Sequence, residues 1–235
     1  MRSERLLAGR VLRKATVAVA VVVFLSAGSM SQQSSGKDSA TATITFTLDF
    51  PHSSPEHYSI AVDSSGHARY ECKPQADDEI YDSEFDLSAG TRERIFGLAK
   101  QAKYFAENVD SGNRKLAFAG AKILSYEDSA RNNTQRYNYS TVAPVRDLTS
   151  IFQDLAATLD YGRRLTYDHH YQKLALDDEL KRMEDQARNN ELAEIQSIDS
   201  VLQSIVDDDS VMNIVRVRAR EVMKIGGNGS TQSKR

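Results

Sequence analysis

The sequence is poor in the residues that staple, stack or anchor. It holds one cysteine, Cys72, so no intrachain disulfide is possible and stability has to come from an ordinary apolar core. Tryptophan is absent, which counts against a sugar-binding surface built on broad stacking area. No apolar run reaches the roughly 17–25 residues that a membrane span needs. There is no Gly-x-Ser-x-Gly elbow, no phosphate loop and no dinucleotide glycine pattern, so the sequence signatures of that hydrolase type and of nucleotide binding are missing. There is no stripe of basic residues either, which argues against nucleic acid and against an anionic membrane surface.

What is present begins with a leader. Arg2, Arg5, Arg10, Arg13 and Lys14 stand against one acid, Glu4, and an apolar run from Ala15 to Ala27 follows, closed by Gly28 and Ser29. A basic start, a short apolar stretch and a small-residue exit are the three parts of a secretory signal. The expectation is an exported chain, periplasmic or extracellular, with residues 1–29 cleaved as a signal peptide. The competing reading is an uncleaved inner-membrane anchor over residues 15–30. The exit Leu25-Ser26-Ala27-Gly28-Ser29 resembles a lipoprotein processing box with Ser29 where the cysteine would stand, so no lipid anchor is expected. Residues 30–41, rich in Ser, Gln and Thr, suit a solvated linker.

Without the leader, about 205 residues remain, enough for one large domain or two small ones. Removing the leader's five basic residues and one acid from the totals of 30 and 33 leaves 25 against 32, a net charge of −7. Tyrosine is plentiful and confined to Tyr58 through Tyr171.

Hydrophobic period places the elements. Ile44, Phe46, Leu48 and Phe50 alternate with Thr43, Thr45, Thr47 and Asp49, as in a half-buried strand. Tyr58, Ile60 and Val62, the turn Asp63-Ser64-Ser65-Gly66, and then Ala68, Tyr70 and Cys72 predict a β-hairpin. A further strand is expected over Glu79 to Leu87. At Ser88 the period changes to that of a helix carrying Ile95, Leu98, Ala99, Ala102 and Phe105, with Ser88 and Thr91 as capping candidates. Strands return over Lys115 to Tyr126 and Thr134 to Ser140, around a turn at Ser129–Asn133. Pro144 then opens a helix with Val145, Leu148, Phe152, Leu155 and Leu159 on one stripe, and Gly162 reads as its stop beside Arg163 and Arg164.

Beyond Tyr171 only helix is expected. One stripe is Leu176, Leu180, Met183 and Ala187, flanked by i,i+4 pairs Asp177–Lys181, Asp178–Arg182 and Glu184–Arg188. A second is Ile195, Ile198, Leu202 and Ile205. A third is Val211, Val215, Ala219 and Val222, with Asp207-Asp208-Asp209 as an acidic cap, a Gly226-Gly227 stop and a disordered tail over 226–235.

A shift of 56 residues aligns Tyr70-Glu71 with Tyr126-Glu127, Tyr81 with Tyr137, and Ile95-Phe96 with Ile151-Phe152. The order strand, strand, helix repeats with them. The expected fold is α+β: an antiparallel sheet from two β-hairpin-plus-helix units over 42–162, with an extra strand in front and helices on one face, followed by C-terminal helices over 163–225. The stretch Tyr58-Ser-Ile-Ala-Val-Asp-Ser-Ser-Gly66-His-Ala-Arg-Tyr70-Glu, with the strand and helix from Phe85 to Phe105, resembles an uncharacterised domain of exported bacterial proteins. That pattern covers about fifty residues here, twice that with the second copy. Ser53, Ser54 and Pro55 stand where members of that family often carry cysteines. The resemblance implies export and this fold, and it implies no reaction.

Residues able to carry chemistry are sparse, and no catalytic, cofactor-binding or metal residue is assigned. Asp168-His169-His170 is one cluster, but adjacent histidines point to different faces and do not converge on a metal. His52, His57 and His67 lie near the first hairpin without a ligand spacing. Cys72, with His67 nearby in sequence, has the residue types of a nucleophile and base, although its place on the apolar face beside Tyr70 favours a small buried hydrophobe. Asp207–Asp209 lacks the glycine and alternating oxygens of a calcium loop. Arg163 and Arg164, beside Tyr161 and Tyr167, read as a grip for an anion or as a helix end. Three functions follow. The first is an envelope binding or scaffolding module presenting a sheet face rich in Thr, Tyr, Arg and Glu to a partner protein. The second is an envelope hydrolase using Asp168, His169 and His170, or Cys72 with His67. The third is a homodimer formed through the C-terminal stripes.

Overall fold

A computed structural model describes residues 41–75 and 78–232; the expected signal and nearly all of the linker lie outside them. The fold is α+β. Strands β1 (Thr43–Asp49), β2 (His57–Asp63), β3 (His67–Lys73) and β4 (Tyr81–Asp86) precede helix α1 (Ala89–Gln101). Strands β5 (Ala121–Glu127) and β6 (Asn132–Tyr137) follow, then α2 (Ala143–Tyr171), α3 (Leu176–Arg188), α4 (Asp199–Asp207) and α5 (Asn213–Gln232). The strands form one antiparallel sheet in the order β4-β3-β2-β1-β5-β6.

The alternation in β1 decides which face is covered. Ile44, Phe46 and Leu48 are buried under the helices, together with Tyr58, Ile60 and Val62 of β2 and Ala68, Tyr70 and Cys72 of β3. Thr43, Thr45 and Thr47 lie on the opposite face, beside Ala61 and Ser59 of β2 and Ser125 and Ile123 of β5. No strand tyrosine reaches this open face: the register puts Tyr58, Tyr70, Tyr81, Tyr126 and Tyr137 on the helix side. The expected Tyr-rich presenting face is therefore a Thr, Ser and Ala strip, rimmed by His67, Arg69, Glu71, Asp82, Glu84 and Asp86.

The repeat in element order maps onto the two ends of the sheet: β3-β4-α1 at one, β5-β6-α2 at the other. The hairpins differ in register. Tyr81 faces Cys72, whereas Tyr137 faces Lys122, because the β5–β6 connection is shorter. The strand expected from Lys115 begins at Ala121 instead, and the one expected to reach Ser140 ends at Tyr137. Residues 115–118 have no strand to pair with. The loop before β5 is held by side chains: Asn138 Nδ2 donates to Ala117 O (3.0 Å), and buried Lys122 donates to Ala119 O (2.7 Å) and Asn138 O (3.1 Å).

Helix α1 starts as its residues predict, with the Ser88 hydroxyl accepting from Thr91 N. A distant residue completes the cap: the Glu194 carboxylate accepts from Ser88 N (2.8 Å), Ser88 Oγ (2.7 Å) and Thr91 Oγ1. Directly after α1, Lys103, Tyr104 and Phe105 take positive φ values of 52°, 52° and 60°. This left-handed turn is costly for non-glycine residues. Asn133 and Gln135 of β6 hold it by donating to the carbonyls of Tyr104 (2.9 Å) and Phe105 (3.1 Å).

Neither expected glycine stop ends its helix. α2 continues through Gly162 to Tyr171, and α5 continues through Gly226 to Gln232. Both glycines are close-approach slots. A Cβ on Gly162 would lie 2.6 Å from Ile198 Cγ2, and one on Gly226 would lie 2.8 Å from Ile195 Cβ. The 3-10 turn Ile195–Ile198 is thus gripped between α2 and α5. The expected boundary at 162/163 consequently falls inside α2, and the helical tail reaches past 226 rather than being disordered from there. α3 and α4 pack on α2, α5 packs on α3 and α4, and one apolar core runs from β1 to Val222. The stripes proposed for a homodimer are consumed in this core: Leu176, Leu180, Met183, Leu202, Ile205, Val215, Ala219 and Val222 are all fully buried. Among the described residues no helix is long and apolar enough to cross a membrane.

Candidate functional site

A crevice of about 300 Å³ opens where the β1–β2 connection meets α2 and α3. Its apolar wall is Leu48, Phe50, Pro55 and Tyr58. The wall opposite is a single helical stripe of α2: Gln153, Ala156, Ala157, Asp160, Tyr161 and Arg164 recur at helical spacing, and Gln186 of α3 closes the side. Two alanines in the middle of the stripe leave the space that larger residues would fill. The β1–β2 connection braces itself, with the Ser53 hydroxyl against the carbonyls of Phe50 (2.6 Å) and Pro55 (2.7 Å), and Phe50 N donating to Glu56 O (2.8 Å).

An alternating charge network lies at the inner end of this crevice. Asp160, 3% exposed, accepts from Arg163 (2.8 Å) on one oxygen and from Arg164 on the other. Glu179, 5% exposed, accepts from Arg164 (2.5 Å) and from Arg182. Buried carboxylates persist only when paired in this way. Burial pushes the Glu179 carboxyl up, but hydrogen bonds from Arg182 and Arg164 and their charges outweigh it and hold the group below its ordinary value. The Arg164 guanidinium also stacks over the Tyr161 ring at 4.5 Å. Burial, and after it the charge of Glu179, pushes the Tyr161 phenol up to about 12.

Several residues that line the crevice carry polar groups without a hydrogen bond among the described residues: Arg164 Nη2, the Tyr58 and Tyr161 hydroxyls, and the Gln153 and Gln186 amides. A concave, mixed-polarity space with a few converging polar groups is what a ligand seat requires. The network as a whole was not legible in advance. From the sequence, Arg163 and Arg164 beside Tyr161 read as an anion grip or a helix end, and the structure joins Tyr161 to Arg164. Tyr167 stands apart, half exposed and packed on Tyr171 with ring centroids 5.0 Å apart. The missed signal is Leu165, buried and four residues after buried Tyr161, a helical spacing that carries α2 past Gly162 and turns Arg164 from a helix-end residue into an interior one.

The other candidates separate. Cys72 lies on the covered face of β3 and His67 on the open face, so the sheet stands between them and the dyad does not form. Cys72 is buried, and desolvation pushes its thiol up, away from the reactive thiolate. His169 Nε2 lies 2.9 Å from Asp208, which also binds Lys173 (2.5 Å), so this histidine tethers the end of α2 to the α4–α5 connection. His170 meets Tyr171 edge to face with centroids 4.3 Å apart, and Asp168 makes no hydrogen bond with either histidine among the described residues. Burial, then the charge of Glu179, raises the Asp168 carboxyl. His57 meets Asp49, His67 meets Asp86 at 3.2 Å, and His52 joins neither. Among the described residues no group of His, Cys, Asp or Glu is arranged to hold a metal ion. Asp207–Asp209 is no helix cap: Asp207 ends α4, Asp208 binds Lys173, and Asp209 meets Arg216 at 2.6 Å. The chain matches no known protein-family model and no curated protein.

Proposed function

We propose that the chain is an exported binding module of the cell envelope, and that the crevice between the β1–β2 connection and α2 is its ligand seat. The observation that carries this reading is the convergence of uncommitted polar groups from three elements, β2, α2 and α3, on one apolar wall. Export rests on the basic leader and the apolar run Ala15–Ala27. The open sheet face supports a second docking role. Its central strip of Thr43, Thr45, Thr47, Ser59 and Ala61 lies on the face away from the helices and is partly exposed among the described residues, and it suits a partner protein better than a small ligand.

Native mass spectrometry of the full chain purified from its own envelope tests the ligand seat. The comparison is with A157W, which fills the middle of the crevice from an incompletely buried position. The expected result is a bound molecule on the unmodified chain that A157W lacks. The same adduct on both proteins, or none on either, contradicts the reading.

A further inference from the structure

We propose that the crevice selects a small acid: a carboxylate held by Arg164, with an apolar or aromatic body laid on Leu48, Phe50 and Pro55. This rests on the crevice being the ligand seat and names the ligand's chemistry.

The head-group preference follows from how Arg164 is used. Its Nε donates to Glu179 and its Nη1 to Asp160, and the ring of Tyr161 supports its plane at 4.5 Å. Nη2 has no protein partner. A guanidinium already fixed on three sides loses little side-chain freedom when it takes a fourth contact, and its planar fork matches a carboxylate. The neighbouring acids do not compete, because both oxygens of Asp160 and both of Glu179 are already engaged by arginine. Within these direct ion pairs three guanidiniums meet two carboxylates, an excess of one positive charge. Asp168 sits one turn further along α2 and forms no ion pair with the cluster. Asp185 and Glu191 act on Tyr161, and Asp154 on Tyr58, through space, so the positive excess is local to Arg164 and does not extend over the whole crevice.

The body preference follows from the opposite wall. Phe50, Pro55 and Leu48 present apolar surface, and Phe50 is 36% exposed. Gln153 and Gln186 supply neutral donors and acceptors for a second polar group, such as an amide. A volume of about 300 Å³ is at the small end of ligand pockets, which suits a single acylated amino acid or a short peptide carboxyl terminus.

The test is an ¹⁵N NMR titration of the full chain lacking its leader, with three probes that share a phenyl body: N-acetylphenylalanine, its neutral carboxamide, and the amine phenethylamine. The acid is expected to shift the amides of residues 50–56 and 153–164 and to bind at least tenfold more tightly than the carboxamide. R164Q is expected to reduce the acid to the carboxamide's affinity. Q153E, at the exposed rim, provides the same discrimination without entering the charge network: it should weaken the acid and strengthen the amine. Equal binding of acid and carboxamide at these residues overturns the acid preference and leaves the ligand seat standing. No shift there with any probe overturns both.

Discussion

Helix α2 is buried on two sides, and the two sides are built differently. Toward the sheet it meets aromatic rings: Phe152 stacks on Phe46 with centroids 5.3 Å apart and planes 5° apart, and Tyr58 and Tyr70 continue the layer. Toward α3, α4 and α5 the buried side chains are Leu, Ile, Val, Met and Ala. Rings set in a hydrogen-bonded sheet have few ways to pack, because strand register fixes every neighbour. An aliphatic helical layer has many packings of similar energy. Here polar contacts select one of them. Glu194 reaches back to Ser88 and Thr91, Thr158 Oγ1 donates to Ala193 O at 2.7 Å, Arg164 bridges Asp160 and Glu179, and Arg218 meets Glu184 and the carbonyl of Asp177. The sheet side specifies itself by register, and the helical side by buried polar ties. The crevice lies at the junction of the two.

The comparison breaks most severely at the aromatic stack. Phe152→Ala should cost about 3–5 kcal/mol, the range for removing a fully buried ring, read as a lower urea midpoint with unchanged slope. Asp160→Ala attacks the other side. It leaves Arg163 and Arg164 without their buried partner, and breaking such a pair costs about 3 kcal/mol or more. Its loss of hydrogen-exchange protection should be concentrated in α3, whereas that of Phe152→Ala should spread through the sheet. Identical protection maps for the two variants would erase the distinction.

Smaller changes sharpen it. Gly162→Ala inserts a methyl against Ile198 and should cost about 1–3 kcal/mol, as overpacking does. Adding Ile198→Val should return part of that loss in a double-mutant cycle. Additive costs would mean that the two residues do not share the slot. Glu194→Gln should cost about 1–2 kcal/mol, in the range for a helix cap, with faster amide exchange at the start of α1. No change there would remove Glu194 from the set of ties.

The smallest effect is on pH dependence. The folded-state pKa of Glu179 is depressed, so its contribution to stability is fully present above the ordinary glutamate range of about 4.3. That contribution is lost as pH falls from there through the folded value. Asp154, Asp168 and Asp199, raised by burial, act in the opposite sense and at higher pH, between the ordinary aspartate value and their raised ones. Glu179→Gln should therefore flatten the acid limb of stability and leave the neutral plateau parallel to that of the unmodified chain.

The sheet half was legible because period two, turn chemistry and capping residues agree there. Asp63-Ser64-Ser65-Gly66 makes its turn, with Asp63 accepting from Ser65 N at 2.8 Å, and Ile44, Phe46 and Leu48 choose the buried face. The helical half was legible in its stripes and not in its joints. Gly162 and Gly226 have the local appearance of stops, and only a neighbour far along the chain, the turn at Ile195–Ile198, shows that each is a slot. Of the pairs expected along α3, Glu184–Arg188 forms, while Asp177 turns to Arg218 and Arg182 to Glu179, choices made by the packing of α3 on α2 and α5. Arg164 reads from the sequence as a charge beside Tyr161, but its partner Glu179 lies on another helix.

The most direct test of the ligand seat and its chemistry is a crystal structure of the chain purified from its own envelope without added ligand. The account predicts density for an organic acid in the crevice, with an anionic oxygen within hydrogen-bonding distance of Arg164 Nη2 and carbon atoms against Phe50. Solvent alone in the crevice, with a molecule bound elsewhere on the protein, would contradict it.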